Sequence, residues 1–131
     1  MIGIDTNVLV RYIAQDDRVQ SARATAFIER ECSPESPGFV GLVVLAEVVW
    51  VSESLYGATR QDVVNIVGRL LGTRQLMVQD AETAWKALRL FETGKADFAD
   101  CLVACSAISA GCDQVVTFDR QATGVGMTLL K

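Results

Sequence analysis

Short apolar runs alternate with stretches of helical periodicity along this chain, and that alternation constrains the fold more than any single residue does. Residues 2–4, 39–41, 75–78, 114–118 and 127–130 read as strands, being brief, apolar or β-branched. Between the first two, Val8, Leu9, Tyr12 and Ile13 recur at helical spacing, and a second helix runs from about 19 to 31. It stops in a Ser-, Pro- and Glu-rich loop at 32–37. An apolar helix containing Glu47 and Trp50 ends before Gly57, and Val63, Val67, Leu70 and Leu71 mark another that closes near Gly72. Ala81, Ala84, Trp85, Leu88 and Phe91 form the cleanest stripe, stopped by Gly94. Residues 97–110 are apolar on nearly every side apart from two aspartates, as expected of a helix buried against a sheet. The pattern predicts an α/β fold, a three-layer α/β/α arrangement around a central, mostly parallel sheet of four or five strands.

At 131 residues the chain fits a single domain, 1–131, that closes a core without disulfides or a structural metal. Cysteines stand at 32, 101, 105 and 112, and Cys101 and Cys105 share a helix face. A zinc site there lacks a fourth ligand, and the chain has no histidine, so the thiols read as small reduced apolar residues. Asp5 interrupts any N-terminal apolar run, and 39–51 is too short to span a bilayer and carries Glu47. A soluble, cytoplasmic protein without membrane association is expected.

The net charge of −4 argues against a broad basic face for nucleic acid. Its distribution is more informative. Of sixteen acids, Asp5, Glu47, Asp97, Asp100 and Asp119 occupy special positions; without those five, eleven acids face twelve Lys plus Arg, a nearly neutral remainder. Asp5 and Asp119 each directly follow a predicted strand, and parallel α/β sheets bind ligands beyond the carboxyl ends of their strands. Asp97 and Asp100 lie three apart at the start of a helix and so share a face. Glu47 sits among Val43, Val44, Val48 and Trp50, where an unpaired charge is costly, and needs a partner.

Each of these acids except Glu47, which reads as neither a cap nor part of a solvated face, has a structural role open to it. Asp5 and Asp97 suit N-caps, Asp100 suits the positive end of a helix dipole, and Asp119 suits a turn. Gathered together with no neighbouring Lys or Arg, they repel: they stay ionised together only beside a cation, or else some become protonated with raised pKa values. An all-oxygen set suits Mg²⁺ or Mn²⁺ better than zinc. The chemistry such a centre performs well is phosphodiester hydrolysis.

The segments carrying these acids resemble the four motifs of PIN-domain nucleases, and in particular of VapC-type toxins of bacterial toxin–antitoxin pairs. Met1-Ile2-Gly3-Ile4-Asp5-Thr6-Asn7-Val8-Leu9-Val10-Arg11 is similar to the opening motif and Ala46-Glu47-Val48-Val49-Trp50 to the second. Ala96-Asp97-Phe98-Ala99-Asp100-Cys101-Leu102-Val103-Ala104 and Val116-Thr117-Phe118-Asp119-Arg120 are similar to the third and fourth, in order and over essentially the whole chain. The resemblance implies a metal-dependent endoribonuclease, the toxin of a type II pair. It implies that Asp5, Glu47, Asp100 and Asp119 form the catalytic quartet around Mg²⁺ or Mn²⁺, with Asp5, Asp100 and Asp119 as ligands. It gives supporting roles to Asn7, which orients the quartet by hydrogen bonding, to Thr117, which positions a water, and to Asp97. Arg11 and Arg120 become phosphate contacts. It further implies an RNA substrate such as tRNA or rRNA, a homodimer, and a small antitoxin that covers the site. Gln121-Ala122 departs from the acidic-aromatic pair that follows the fourth motif in many relatives, which affects the local loop and leaves the quartet intact.

The alternative from another class is a PIN-like scaffold that has lost catalysis and only binds a partner; a retired site has no reason to keep mutually repelling groups. A receiver-type phosphoacceptor usually wants a lysine near the site to hold the phosphoryl group, and neither Lys86 nor Lys95 follows an apolar strand. A haloacid-dehalogenase-like phosphatase requires Asp at position 7, where Asn7 stands.

Overall fold

The structure, a computed structural model, describes all 131 residues. Contacts divide the chain into two compact units, Met1–Ala81 and Glu82–Lys131.

In the first unit the order is β1 (Ile2–Gly3), α1 (Thr6–Ala14), α2 (Arg18–Ala26), β2 (Gly38–Val40), α3 (Leu42–Tyr56), α4 (Arg60–Gly72) and β3 (Leu76–Val78). The strands form a parallel sheet in the order β1-β2-β3, with Ile2 opposite Gly38 and Gly38 opposite Leu76. Gly38 is required where it stands: a β-carbon there would collide with Ile4 Cδ1 and lie 3.2 Å from Leu76 Cδ2. Leu9, Ile28, Val40, Leu45, Val48, Val63, Val67 and Leu70 are fully buried, so the core is built from one face of each helix and the middle strand. The predicted helix over 19–31 is α2 followed by a five-residue π-helical turn, Phe27–Glu31, in which the Cys32 N–H reaches back to the Phe27 carbonyl at 3.0 Å.

Two helices of this unit are capped by aspartates and one from a distance. Asp5 accepts from the Thr6 N–H, and Asp17 accepts from the N–H groups of Val19 and Gln20. Gly41 precedes α3 and has no side chain to offer, so the Leu42 N–H donates instead to Gln79 Oε1, 3.0 Å away beyond the end of β3.

The second unit contains α5 (Ala81–Thr93), α6 (Phe98–Ser109), β4 (Val116–Thr117), a 3₁₀ turn (Gln121–Val125) and β5 (Thr128–Leu129). The two strands pair in parallel, with Val116 opposite Thr128. Phe91 of α5 and Phe98 of α6 meet edge to face at 5.8 Å between ring centres. Each unit thus holds its own parallel sheet, of three strands in the first and two in the second. Strand–helix alternation produced the expected α/β class. The cysteines are free thiols: Cys32 and Cys101 buried, Cys105 half-buried and Cys112 exposed. No helix is long and apolar enough to cross a membrane.

Candidate active site

Asp5 leaves the carboxyl end of β1 and caps α1, its Oδ1 accepting from the Thr6 N–H at 2.8 Å. The Ile4 N–H is held by the Phe39 carbonyl at 2.9 Å, so the ladder runs up to the residue before Asp5 and fixes its place. The hydroxyl of Thr6 then donates to Glu47 Oε1 at 2.9 Å, joining the start of α1 to the middle of α3. Asp5, Thr6, Asn7, Arg11 and Glu47 line one pocket of about 350 Å³. Sequence reasoning expected Glu47 to be surrounded by apolar groups. It is exposed, as are Val43 and Trp50 on the same helix, because the buried face of α3 is made by Leu45, Val48, Val49 and Ser52. Its need for a partner does not come from burial, yet it has one.

Sequence reasoning does not single out Thr6, whose place between Asp5 and Asn7 in the first motif is the available signal for this contact. The hydrogen bond to Glu47 comes from Thr6 rather than from Asn7. Arg11 is engaged within the protein. Its Nη1 contacts both Asp16 oxygens at 3.0 Å, and its Nε donates to Gln20 Oε1 at 2.9 Å. The Tyr56 hydroxyl, at the end of α3, also donates to Asp16. The Tyr56 hydrogen bond holds the Asp16 carboxyl below its ordinary range, with a further contribution from Arg11.

In the second unit Asp97 is the N-cap of α6 and accepts from the Asp100 N–H at 2.7 Å. Asp100 occupies the third helical position, as its spacing indicated. Burial pushes its carboxyl above the ordinary aspartate value, and the negative charges of Asp97 and Asp119 push it further in the same direction. Asp119 follows β4 in a turn: Thr117 Oγ1 accepts from the Asp119 N–H at 3.0 Å, and Asp119 Oδ1 accepts from the Gln121 N–H at 2.9 Å. Thr117 thus fixes the backbone of Asp119. Arg120 is exposed. The structural roles foreseen for Asp5, Asp97, Asp100 and Asp119 are all present, and they coexist with the grouping of Asp97, Asp100 and Asp119 around one helix start.

No group of three or more Asp, Glu or Cys side chains is gathered closely enough to hold a metal ion as they stand. The donor chemistry around Asp100 nevertheless fits a hard divalent cation. Asp97, Asp100 and Asp119 offer oxygen donors only, the kind that Mg²⁺ and Mn²⁺ take.

Residues 2–126 match the family described as the PIN domain. The chain belongs to the PIN-domain family. The match takes in all four acidic motifs and bears out the resemblance seen in them. This PIN domain is also similar to a VapC ribonuclease of Aquifex aeolicus (strain VF5), with 26% identity over 124 residues that cover 94% of this chain and 90% of the relative. The VapC-type resemblance thus extends well beyond the motifs.

Proposed function

We propose that this PIN domain is a metal-dependent endoribonuclease that hydrolyses RNA phosphodiester bonds as the toxin of a type II toxin–antitoxin pair. The observation that carries the proposal is the hydrogen bond from the Thr6 hydroxyl to Glu47 at 2.9 Å, which ties the acid of the second motif to the residue beside Asp5 in a chain that matches the PIN domain over residues 2–126. The similarity to a VapC ribonuclease supports RNA as the substrate.

Asp5, Glu47, Asp100 and Asp119 carry the catalysis, with Asp5, Asp100 and Asp119 as ligands of Mg²⁺ or Mn²⁺. Bound to them, a divalent ion would lower the pKa of a water and offset charge on the phosphate. Thr6 holds Glu47 by Oε1, which leaves Oε2 to accept a proton from the attacking water. Asp97 fixes the first turn of α6, and with it Asp100, through its bond to the Asp100 N–H. Thr117 holds the chain at Asp119, Asn7 lies beside Asp5 in the pocket that also holds Glu47, and Arg120 is a phosphate contact. The partners are an RNA such as tRNA or rRNA, a second copy of the chain in a homodimer, and a small antitoxin that neutralises the acidic site. The protein acts in the cytoplasm as one nuclease domain.

The test is Mn²⁺-dependent cleavage of a mixed tRNA and rRNA pool, with Asp5→Asn as the control. Cleavage that requires metal and is lost in the variant is expected. No cleavage of any RNA, together with no metal binding by calorimetry, would leave a scaffold that only binds a partner.

A further inference from the structure

A second cavity, of about 510 Å³, shares Asp5, Asn7 and Arg11 with the pocket that holds Glu47. It lies between the end of β1, α1 and α2, and its polar rim is made by Asp5, Asn7, Arg11, Gln20 and Arg23, with Phe27 in its apolar wall. We propose that this cavity seats one nucleotide of the RNA strand next to the scissile bond. Phe27 would stack on the base, Gln20 would read its edge, and Arg11 and Arg23 would contact the flanking phosphates. The inference rests on the reading of the protein as a ribonuclease and extends it to a specific subsite.

Six features of the cavity support it. Its volume falls within the range of sites for small ligands, roughly 300–1,000 Å³. The wall is apolar and includes an aromatic ring, and every base has a π-face to stack on such a ring. Phe27 opens the π-helical turn that ends α2, an irregularity that is frequent at functional sites. Arg11 is held by Asp16 and Gln20 through Nη1 and Nε, so its Nη2 is presented from a fixed guanidinium. Gln20 spends its oxygen on Arg11, which leaves its amide NH₂ to donate to a base. Arg23 is exposed on α2 and supplies the second positive charge.

Continuity with the acid site selects RNA over an acidic peptide as the occupant. Asp5, Asn7 and Arg11 line both this cavity and the pocket containing Glu47. A strand seated against Phe27 therefore passes the Asp5 carboxylate on its way to Glu47. A side-chain carboxylate of a peptide would use the arginines but leave the ring and the amide without partners.

The experiment is fluorescence anisotropy with a fluorescein-labelled single-stranded oligoribonucleotide of about ten nucleotides. It is run on the full chain in EDTA, alongside Mn²⁺-dependent cleavage of the same strand. Arg23→Glu is expected to weaken binding about tenfold, and Phe27→Leu about fivefold, with thermal unfolding unchanged. Arg23→Lys should bind nearly as the wild type, and Arg23→Ala should reduce the salt slope of log affinity by about 0.7. If the wild type cleaves while Arg23→Glu and Phe27→Leu bind and cleave equally well, the subsite is rejected and the nuclease reading stands. If the wild type neither binds nor cleaves the strand, the nuclease reading falls and takes the subsite with it. Competition by oligoglutamate that depends on Arg23, with RNA affinity independent of it, would assign the cavity to an acidic segment and overturn the proposal.

Discussion

Thr6 donates its hydroxyl hydrogen to Glu47 across 41 positions of sequence, at 2.9 Å. The bond ties the acid of the second motif to the residue beside the acid of the first. A glutamate on an exposed helix face has three side-chain torsions to wander through, and this contact restricts them. Removing it frees Glu47 without disturbing the core. Thr6→Ala is expected to fold normally and to lose about 1 kcal/mol of positioning, which corresponds to a cleavage rate roughly fivefold lower. The loss should fall on kcat with KM little changed, and Thr6→Ser should restore it. A Thr6→Ala enzyme with wild-type kcat would remove this contact from the mechanism.

Asp100→Asn should abolish cleavage while raising the melting temperature in EDTA. The folded-state pKa of Asp100 is raised, first by burial and then by Asp97 and Asp119, so its ionised form is disfavoured in the folded protein. For a carboxyl with a raised pKa, the stabilisation belongs to the protonated state and is lost as pH rises through the folded value. The advantage of Asp100→Asn over the wild type should therefore be largest near neutrality and close as pH falls into the carboxylate range. Melting curves from about pH 7 to about pH 4 test this; an advantage that grows on acidification would contradict it.

Added Mn²⁺ should reverse that ranking. An ion bound only to the folded state stabilises by about 2.7 kcal/mol at a hundred times its dissociation constant. The wild type should gain melting temperature on Mn²⁺ addition, and Asp100→Asn and Asp119→Asn should gain much less. Equal gains in all three would place the ion elsewhere.

Arg11, Asp16 and Tyr56 link α1, the α1–α2 connection and the end of α3. The Asp16 pKa is lowered, chiefly by the Tyr56 hydroxyl, so the stabilisation is present above the ordinary aspartate value and lost as pH falls through the lower folded one. Tyr56→Phe is expected to lower the urea midpoint at neutral pH and to leave the Asp16 carboxyl titrating closer to its usual value. NMR titration of Asp16 measures the second effect directly.

Gly38→Ala should destabilise by about 1–3 kcal/mol, the usual penalty for overpacking a filled interior. The added methyl meets Ile4 and Leu76, the side chains flanking β2 in the sheet. Because Ile4 precedes Asp5, displaced packing there should also reduce cleavage. A Gly38→Ala protein with unchanged melting and activity would show that Ile4 can step aside at no cost.

Local features were the ones legible in the amino-acid sequence. Asp5 and Asp97 cap the helices they precede, Asp100 occupies the third position of α6, and Asp119 opens a turn, because each depends on backbone within three residues. The strands were located but overextended: 114–118 contains a ladder only at Val116–Thr117, since a β-branched run sets a propensity and a pairing partner sets the length. Glu47 was misjudged for a related reason. Its apolar neighbours in sequence point both inward, as Val48 and Val49 do, and outward, as Val43 and Trp50 do.

Sequence alone determined the α/β class, the order of elements and the capping and turn roles of Asp5, Asp97, Asp100 and Asp119, because periodicity and capping are written in neighbouring residues. Tertiary structure decided which groups hold those acids and helices in place. Gln79 caps α3 from 37 positions away, Thr6 fixes Glu47 from 41, and Tyr56 reaches Asp16 from 40. Contacts of that span depend on how β2 and β3 pair and how the helices pack on them, and no local pattern encodes a partner that only the folded sheet brings within reach.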